Sequence, residues 1–244
     1  LKRIYHYFIN SHSIKEDVNA GTFEQYALQA AEEIFKNSNQ AVMVGGTGLY
    51  IKAFCEGMDE MPNVPDAIRN NIVNQYKLNG LEWLQNEVEK KDAAFWKVAE
   101  QQNPQRLMRA LEIVEVTGKS ILFFRQDKKA IRNFNIIKIG LELPKEELYK
   151  NINTRVDVMM DNGLLEEVQL LVQYRSLNAL QTVGYKELLE YIDGHCSLDI
   201  AIENIKRNTR HYAKRQITWF KKDTGVHWFN ALGASVEDVL RITA

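Results

Sequence analysis

Residues 41–50 read AVMVGGTGLY: four apolar residues run into three glycines that surround one threonine. A run that short and continuous predicts a buried strand, of the parallel kind. Upstream, Phe23, Tyr26, Ala27, Ala30, Ala31, Ile34 and Phe35 recur at helical spacing. Downstream, LYIKAFCEG predicts a second helix. Helix, strand, glycine turn and helix in succession are α/β grammar. A turn from strand to helix opens on the crevice where α/β proteins take their ligands. Glycines there allow close approach to the backbone, and Thr47 would present its hydroxyl to the occupant. Equally, Gly45 and Gly46 could simply shape a tight turn that Thr47 caps. The stretch is neither GxGxxG nor GxxxxGK[ST], so it is no phosphate loop of either usual kind.

The pattern changes from about Pro65 to Arg125, where helix follows helix with no convincing strand. Ile68, Ile72 and Tyr76 mark one helix, and Leu81, Leu84 and Val88 a second. Pro104 opens a third, faced by Leu107, Leu111 and Val114 and stopped at Gly118. RQDKKAIRN is a polar loop, FNIIKIGLEL a strand, Pro144 the start of another helix and VHWF a late strand. The expected architecture is an α/β core over 1–62 and 134–244, interrupted by a helical insertion over 63–133.

Composition excludes some classes. Apolar content of 45% and charge of 26% are those of an ordinary globular protein, and no apolar run approaches membrane-spanning length. The five histidines lack metal-ligand spacing, so no zinc site is expected. Cys55 and Cys196 stand apart and read as free thiols of a reducing compartment. Net charge is −1, yet residues 201–244 carry eight Lys/Arg against four Asp/Glu. Within IKRNTRHYAKRQITWFKKD, 205–223, Arg207, Arg210, Lys214 and Lys221 fall within about 60° of one another on a helix. Ile205, Tyr212, Ala213, Trp219 and Phe220 lie roughly opposite and would pack on the core. A stripe of one sign fits an anion or RNA partner; a solvated face is the plainer alternative. Thr209 and Gln216 fall on the apolar side and need hydrogen-bond partners in core loops or a ligand.

Five segments, VGGTGLYIKAF, PQRLMRALEIVEVTGKS, INTRVDVMMDNGLLEEV, QTVGYKELLEYIDG and AKRQITWF, resemble in order and spacing the successive motifs of the tRNA dimethylallyltransferases, also called tRNA isopentenyltransferases. The resemblance implies a phosphate-loop-NTPase-like parallel-sheet core with the helical insertion. It implies transfer of a dimethylallyl group from dimethylallyl diphosphate to the N6 amine of the adenosine 3′ to the tRNA anticodon, by a cytoplasmic, monomeric, membrane-free prenyltransferase. In the family a GxxxxGK[ST] loop, with nucleotide (ATP) binding, and an Asp-Ser segment supplying the general base come first. Neither is present here, and Leu1 reads as a start in mid-element after about sixty residues. The resemblance places Mg2+ ligands in that segment, and the chain as given is expected to be inactive.

By resemblance Thr47 touches both donor and acceptor, while Gly45 and Gly46 keep a channel open. Arg69 stands at the channel's tRNA-facing entrance, and Arg155 contacts the diphosphate. The segments that match tRNA contacts are Gln105, Arg106, Leu107, Met108 and Arg109; then Gln181, Thr182, Val183, Gly184, Tyr185 and Lys186. The last is Lys214, Arg215, Gln216, Ile217, Thr218, Trp219, Phe220 and Lys221, to which Arg207 and Arg210 of the stripe are added. A phosphate-loop small-molecule kinase and a non-catalytic RNA-binding fragment are the competing expectations; a kinase predicts no cationic stripe.

Overall fold

The structure is a computed structural model and describes residues 4–243. Leu1, the apparent start in mid-element, therefore lies outside the described residues. In chain order the elements are α1 (Ala20–Phe35), α2 (Gly48–Glu56), α3 (Asp66–Lys91), α4 (Ala93–Trp96), α5 (Pro104–Thr117), α6 (Ile121–Phe124), β1 (Lys138–Glu142), α7 (Lys145–Asp161), α8 (Leu164–Leu171), α9 (Tyr185–Ile192), α10 (Leu198–Phe220), β2 (Val226–Asn230) and α11 (Val236–Thr243). Two compact units result: residues up to Cys55 together with those from Arg132 onward, and Glu56–Ile131.

The Glu56–Ile131 unit is helical. Leu84, Val88, Leu107, Leu111 and Ile113 form its fully buried centre. Asn103 caps α5 by accepting from the Arg106 N–H, Pro104 occupies its first turn, and Gly118 ends it in the left-handed region at φ 67°. The two helices expected around Ile72 and Leu84 are present as the two arms of α3, which meet at Gly80, where the backbone leaves the helical region at φ 76° and ψ −169°. Buried Asp92 ties two connections together by accepting from the N–H groups of Phe95 and Ile121 at 3.0 and 3.1 Å.

The other unit holds the sheet. β1 and β2 pair in parallel, with Lys138 opposite Val226 and Glu142 opposite Asn230. The Trp228 ring lies so close to Gly140 that a Cβ there would stand 2.6 Å from it. Val156, Val168, Leu188, Ala201 and Ile205 join α7, α8, α9 and α10 in one apolar cluster. A second cluster packs Ala27 and Ala31 of α1 on Phe54 of α2. Arg132 closes the end of α2, donating to the carbonyls of Ala53 and Phe54 and pairing with Glu24 at 2.6 Å.

Two expectations about strands need correction. AVMV is not a strand: residues 41–44 pair with nothing, and Val42 and Val44 are 86% and 91% exposed. A buried strand requires a hydrogen-bonding neighbour, and among the described residues the two strands present, β1 and β2, pair with each other. FNIIKIGLEL contracts to β1, because β2 offers five residues of register.

Candidate functional site

The glycine–threonine turn leads into α2. The Thr47 carbonyl accepts from the N–H groups of Tyr50 and Ile51 at 3.0 and 3.1 Å, so the backbone at Thr47 starts the helix. Its side chain is exposed and makes no hydrogen bond to the described residues. The hydroxyl is therefore not spent as a helix cap. Three residues on, the Tyr50 hydroxyl donates to the Val18 carbonyl at 3.1 Å, and its ring stacks on Phe23. Burial pushes the Tyr50 phenol above its ordinary range, with the Asp17 carboxylate adding to the shift. These contacts anchor α2 immediately behind the turn.

The turn's other support is α10. The Gln216 side-chain amide donates to the Gly46 carbonyl at 2.8 Å. Trp219 lies against Gly48, where a Cβ would meet the indole at 2.3 Å. Gln216 thus finds the core-loop partner expected of it. Thr209 does not: its hydroxyl donates to the Ile205 carbonyl one turn back, a bond available within any helix. Tyr212 and Trp219, expected on the packed side, are 40% and 42% exposed.

The cationic stripe divides in two. Arg210 donates to Asn153 Oδ1 at 2.7 Å and lies over the Tyr149 ring. Lys221 pairs with Glu142 at 2.9 Å and lies over Trp228. Arg207 and Lys214 are exposed, and their side chains have no hydrogen-bond or ion-pair partner among the described residues. Half of the stripe is structural and half is free. Along 214–221, Arg215 stacks on Tyr212, Thr218 is exposed, and Ile217 and Phe220 are half-buried. Arg155 projects from α7, exposed and without a partner among the described residues.

In the helical unit, Arg69, Val73, Gln105, Met108, Arg109 and Glu112 line a pocket of about 290 Å³. The expected entrance residue Arg69 and the expected tRNA contacts Gln105 and Arg109 therefore meet. What joins them is Glu112, a buried carboxylate that accepts from Arg109 at 3.0 Å and lies 3.7 Å from Arg69. Sequence reasoning missed it. The available signal was Arg109 three residues before an acid, in a helix face that otherwise reads as core. Arg106 is exposed and pairs with Glu100 at 3.0 Å. Leu107 corrects an expected contact: it is fully buried in the core, where an RNA cannot reach it.

The 181–186 segment precedes α9. Gln181, Thr182, Val183 and Lys186 are exposed, Tyr185 is half-buried and Gly184 is buried. Gly184 adopts φ 103°, a conformation open to glycine, and its N–H donates to Glu187 at 2.8 Å. Buried Glu187 also accepts from Asn208 of α10 at 2.6 Å, tying the loop to the basic helix. Glu187 and Asn208 were likewise missed, their one sequence signal being a carboxylate at the third position of the helix. The Tyr185 phenol donates to Glu167, and burial with that bond pushes its pKa up to about 12.

Among the described residues no helix is long and apolar enough to cross a membrane. The family model for IPP transferases matches residues 1–223. A tRNA dimethylallyltransferase of Christiangramia forsetii is 47% identical over 224 residues, which is 92% of this chain and 74% of that protein. The solved full-length tRNA isopentenylpyrophosphate transferase of Bacillus halodurans is 30% identical, with a TM-score of 0.67 over 99% of this chain and 77% of its own. A solved eukaryotic dimethylallyltransferase acting on tRNA, at 23% identity and a TM-score of 0.74 over 100% of this chain and 65% of its own, shares the fold. The expected α/β class with a parallel sheet is the fold of these proteins. With the family model matching residues 1–223 and a relative 47% identical over 92% of this chain, the chain belongs to the IPP transferase family.

Proposed function

We propose that the protein transfers a dimethylallyl group from dimethylallyl diphosphate to the N6 amine of the adenosine 3′ to a tRNA anticodon. The names of its relatives support prenyl transfer to tRNA. The observation that carries the reading in this chain is the Thr47 hydroxyl, exposed and without a partner among the described residues, on a turn held by the helix that bears the free cations. A kinase of small molecules has no use for that helix face.

The exocyclic amine of adenine is a poor nucleophile because its lone pair is conjugated with the ring. Its attack must be aligned with the donor's C1. A bond forms from N6 to C1 as the C1–oxygen bond breaks, diphosphate leaves with the electron pair, and the amine proton passes to a base. Thr47 is suited to orient the amine, because a single small hydroxyl on a glycine turn directs without blocking. Arg155 offers an exposed guanidinium for the diphosphate, matched to bidentate pairing with phosphate oxygens. Arg69, Gln105 and Arg109 around Glu112, the loop Gln181–Lys186, and Arg207 with Lys214 supply donors and positive charge for RNA. No described residue is assigned as the base. Among the described residues no group of three or more His, Cys, Asp or Glu could hold a metal ion such as Mg2+. These residues therefore do not by themselves build a Mg2+ site, and no step is routed through one. A cytoplasmic monomer suits this reading.

The test is incorporation of radiolabelled dimethylallyl diphosphate into unmodified tRNA by the full-length protein. Product at the adenosine 3′ to the anticodon supports the reading. Absence of transfer at saturating donor and tRNA refutes it. Thr47→Ala should lower kcat by about tenfold to a thousandfold with tRNA affinity nearly unchanged. Unchanged kcat would remove the assigned role of Thr47.

A further inference from the structure

Family resemblance counts Gln216 and Trp219 among the residues that meet tRNA. Their contacts point elsewhere. The Gln216 amide donates to the Gly46 carbonyl at 2.8 Å, and that carbonyl belongs to the peptide whose nitrogen is Thr47's own. Fixing the carbonyl fixes the plane from which Thr47 departs. Trp219, one turn along the same helix face, lies against Gly48, with two indole atoms 2.3 and 2.4 Å from where a Cβ would be. A Cβ on Gly46 would stand 2.1 Å from the Gln216 amide nitrogen. Neither Gly46 nor Gly48 has positive φ, so backbone conformation does not require glycine at either position. The side chains of α10 occupy the space instead: a Cβ at Gly48 would force the Trp219 indole to move, and one at Gly46 would displace the end of the Gln216 amide.

We propose that Gln216 and Trp219 are positioning residues, which hold the Gly46–Gly48 turn on α10 and so aim the Thr47 hydroxyl, rather than contacts to RNA. The helix is suited to the task. It is capped by Ser197 and packed on α7 and α9 through Ala201 and Ile205. Gln216 projects about 160–180° away from Arg207 and Lys214, so the residue that holds the turn and the free cations occupy opposite faces. Phosphates paired with those cations would therefore lie on the face of α10 turned away from Gln216. Geometric precision at a reacting centre is worth a great deal: a misplacement of about 1 Å costs on the order of a hundredfold in rate.

This inference rests on the assignment of Thr47 under the proposed function, and the experiment separates the two. Gln216→Met keeps length and bulk but removes the donor. Gly48→Ala displaces Trp219 by a different route. For each variant of the full-length protein, two quantities are measured: the single-turnover rate of prenyl transfer and the dissociation constant for an anticodon stem-loop RNA. The expected result is a rate about tenfold to a hundredfold lower, with RNA affinity within about twofold of wild type. The double variant Thr47→Ala/Gln216→Met should be no slower than Thr47→Ala alone, because Gln216 acts through Thr47. Weakened RNA binding with an unchanged rate would make Gln216 an RNA contact and overturn the proposal. Additive losses in the double variant would overturn it also. If Thr47→Ala itself leaves the rate unchanged, the assignment of Thr47 fails, and the positioning role falls with it.

Discussion

Neutralising Arg207 and Lys214 should weaken RNA binding in a way that neutralising Arg210 and Lys221 does not. Sequence alone gives no reason to separate these four cations, since they share one helix face. Structure does. Lys221 already has a carboxylate partner, Glu142, at 2.9 Å, and Arg210 is held by Asn153 and the Tyr149 ring. Arg207 and Lys214 are exposed and have no such partner among the described residues. Each cation that neutralises a phosphate contributes about 0.7 to 0.9 to the slope of log affinity against log salt. Two of them contribute about 1.4 to 1.8. Between 50 and 200 mM salt, a fourfold range, that amounts to about a tenfold difference in affinity loss. Arg207→Gln/Lys214→Gln should therefore bind an anticodon stem-loop more weakly at low salt and lose about tenfold less affinity across the series. Arg210→Gln/Lys221→Gln should change the slope by less than one unit, because Lys221 must surrender Glu142 to meet a phosphate. Fluorescence anisotropy with a labelled stem-loop, titrated at several salt concentrations, measures both. Equal slopes for wild type and the first variant would return the whole face to simple solvation. A larger effect from the second variant would show that pairing within the protein does not decide which cations meet RNA.

Three further outcomes follow from buried polar groups. Glu112→Leu removes the carboxylate between Arg69 and Arg109; both guanidiniums are partly exposed and can turn to water, so the cost should be about 1–2 kcal/mol rather than the 3–5 of a fully buried pair, read by urea unfolding. A loss below about 0.5 kcal/mol would mean the network is idle. Asp92→Ala strands the N–H groups of Phe95 and Ile121 in the core and should cost about 2–4 kcal/mol, and a near-neutral result would refute the bridging role. Tyr185 keeps its proton in the folded state up to about 12, above the ordinary value of 10.0. Between those values the unfolded chain has released its proton and the folded one has not, so this contribution is complete below pH 10 and lost as pH rises toward 12. The stability gap between wild type and Tyr185→Phe should narrow over that window, and a gap constant from pH 9 to 11.5 would contradict it.

Local features were the legible ones. The helix from Pro104 to Gly118 was readable at both ends because its cap, its proline and its left-handed glycine act within a few residues of chain. So was the polar loop RQDKKAIRN, and so were the cores of β1 and β2. AVMV was misread because strand formation depends on a neighbour rather than on the segment's own apolarity, and no described strand pairs with it. The two arms of α3 were legible because their apolar periodicities fall on either side of Gly80, where the backbone leaves the helical region. At the candidate site, residue types were legible and partnerships were not. Arg69 and Arg109 could be named from motifs, but not Glu112, which brings them together from forty-three and three residues away.

The glycines of VGGTG show where motif reading and physical reading diverge. By resemblance, small residues at 45 and 46 leave room for a substrate. By geometry, the room beside Gly46 and Gly48 is already taken by Gln216 and Trp219. Both accounts predict the same sequence pattern, so no inspection of the pattern can choose between them. They differ in what a methyl group would strike: a ligand in the first case, the far end of α10 in the second. In the second case, Gly48→Ala is expected to slow the reaction without touching substrate at all. It also makes α10 a helix with divided duties. Substitutions at Arg207 or Lys214 should appear in the binding constant, and substitutions at Gln216 or Trp219 in the rate. A helix whose two faces fail in two different measurements cannot be only a basic surface for RNA.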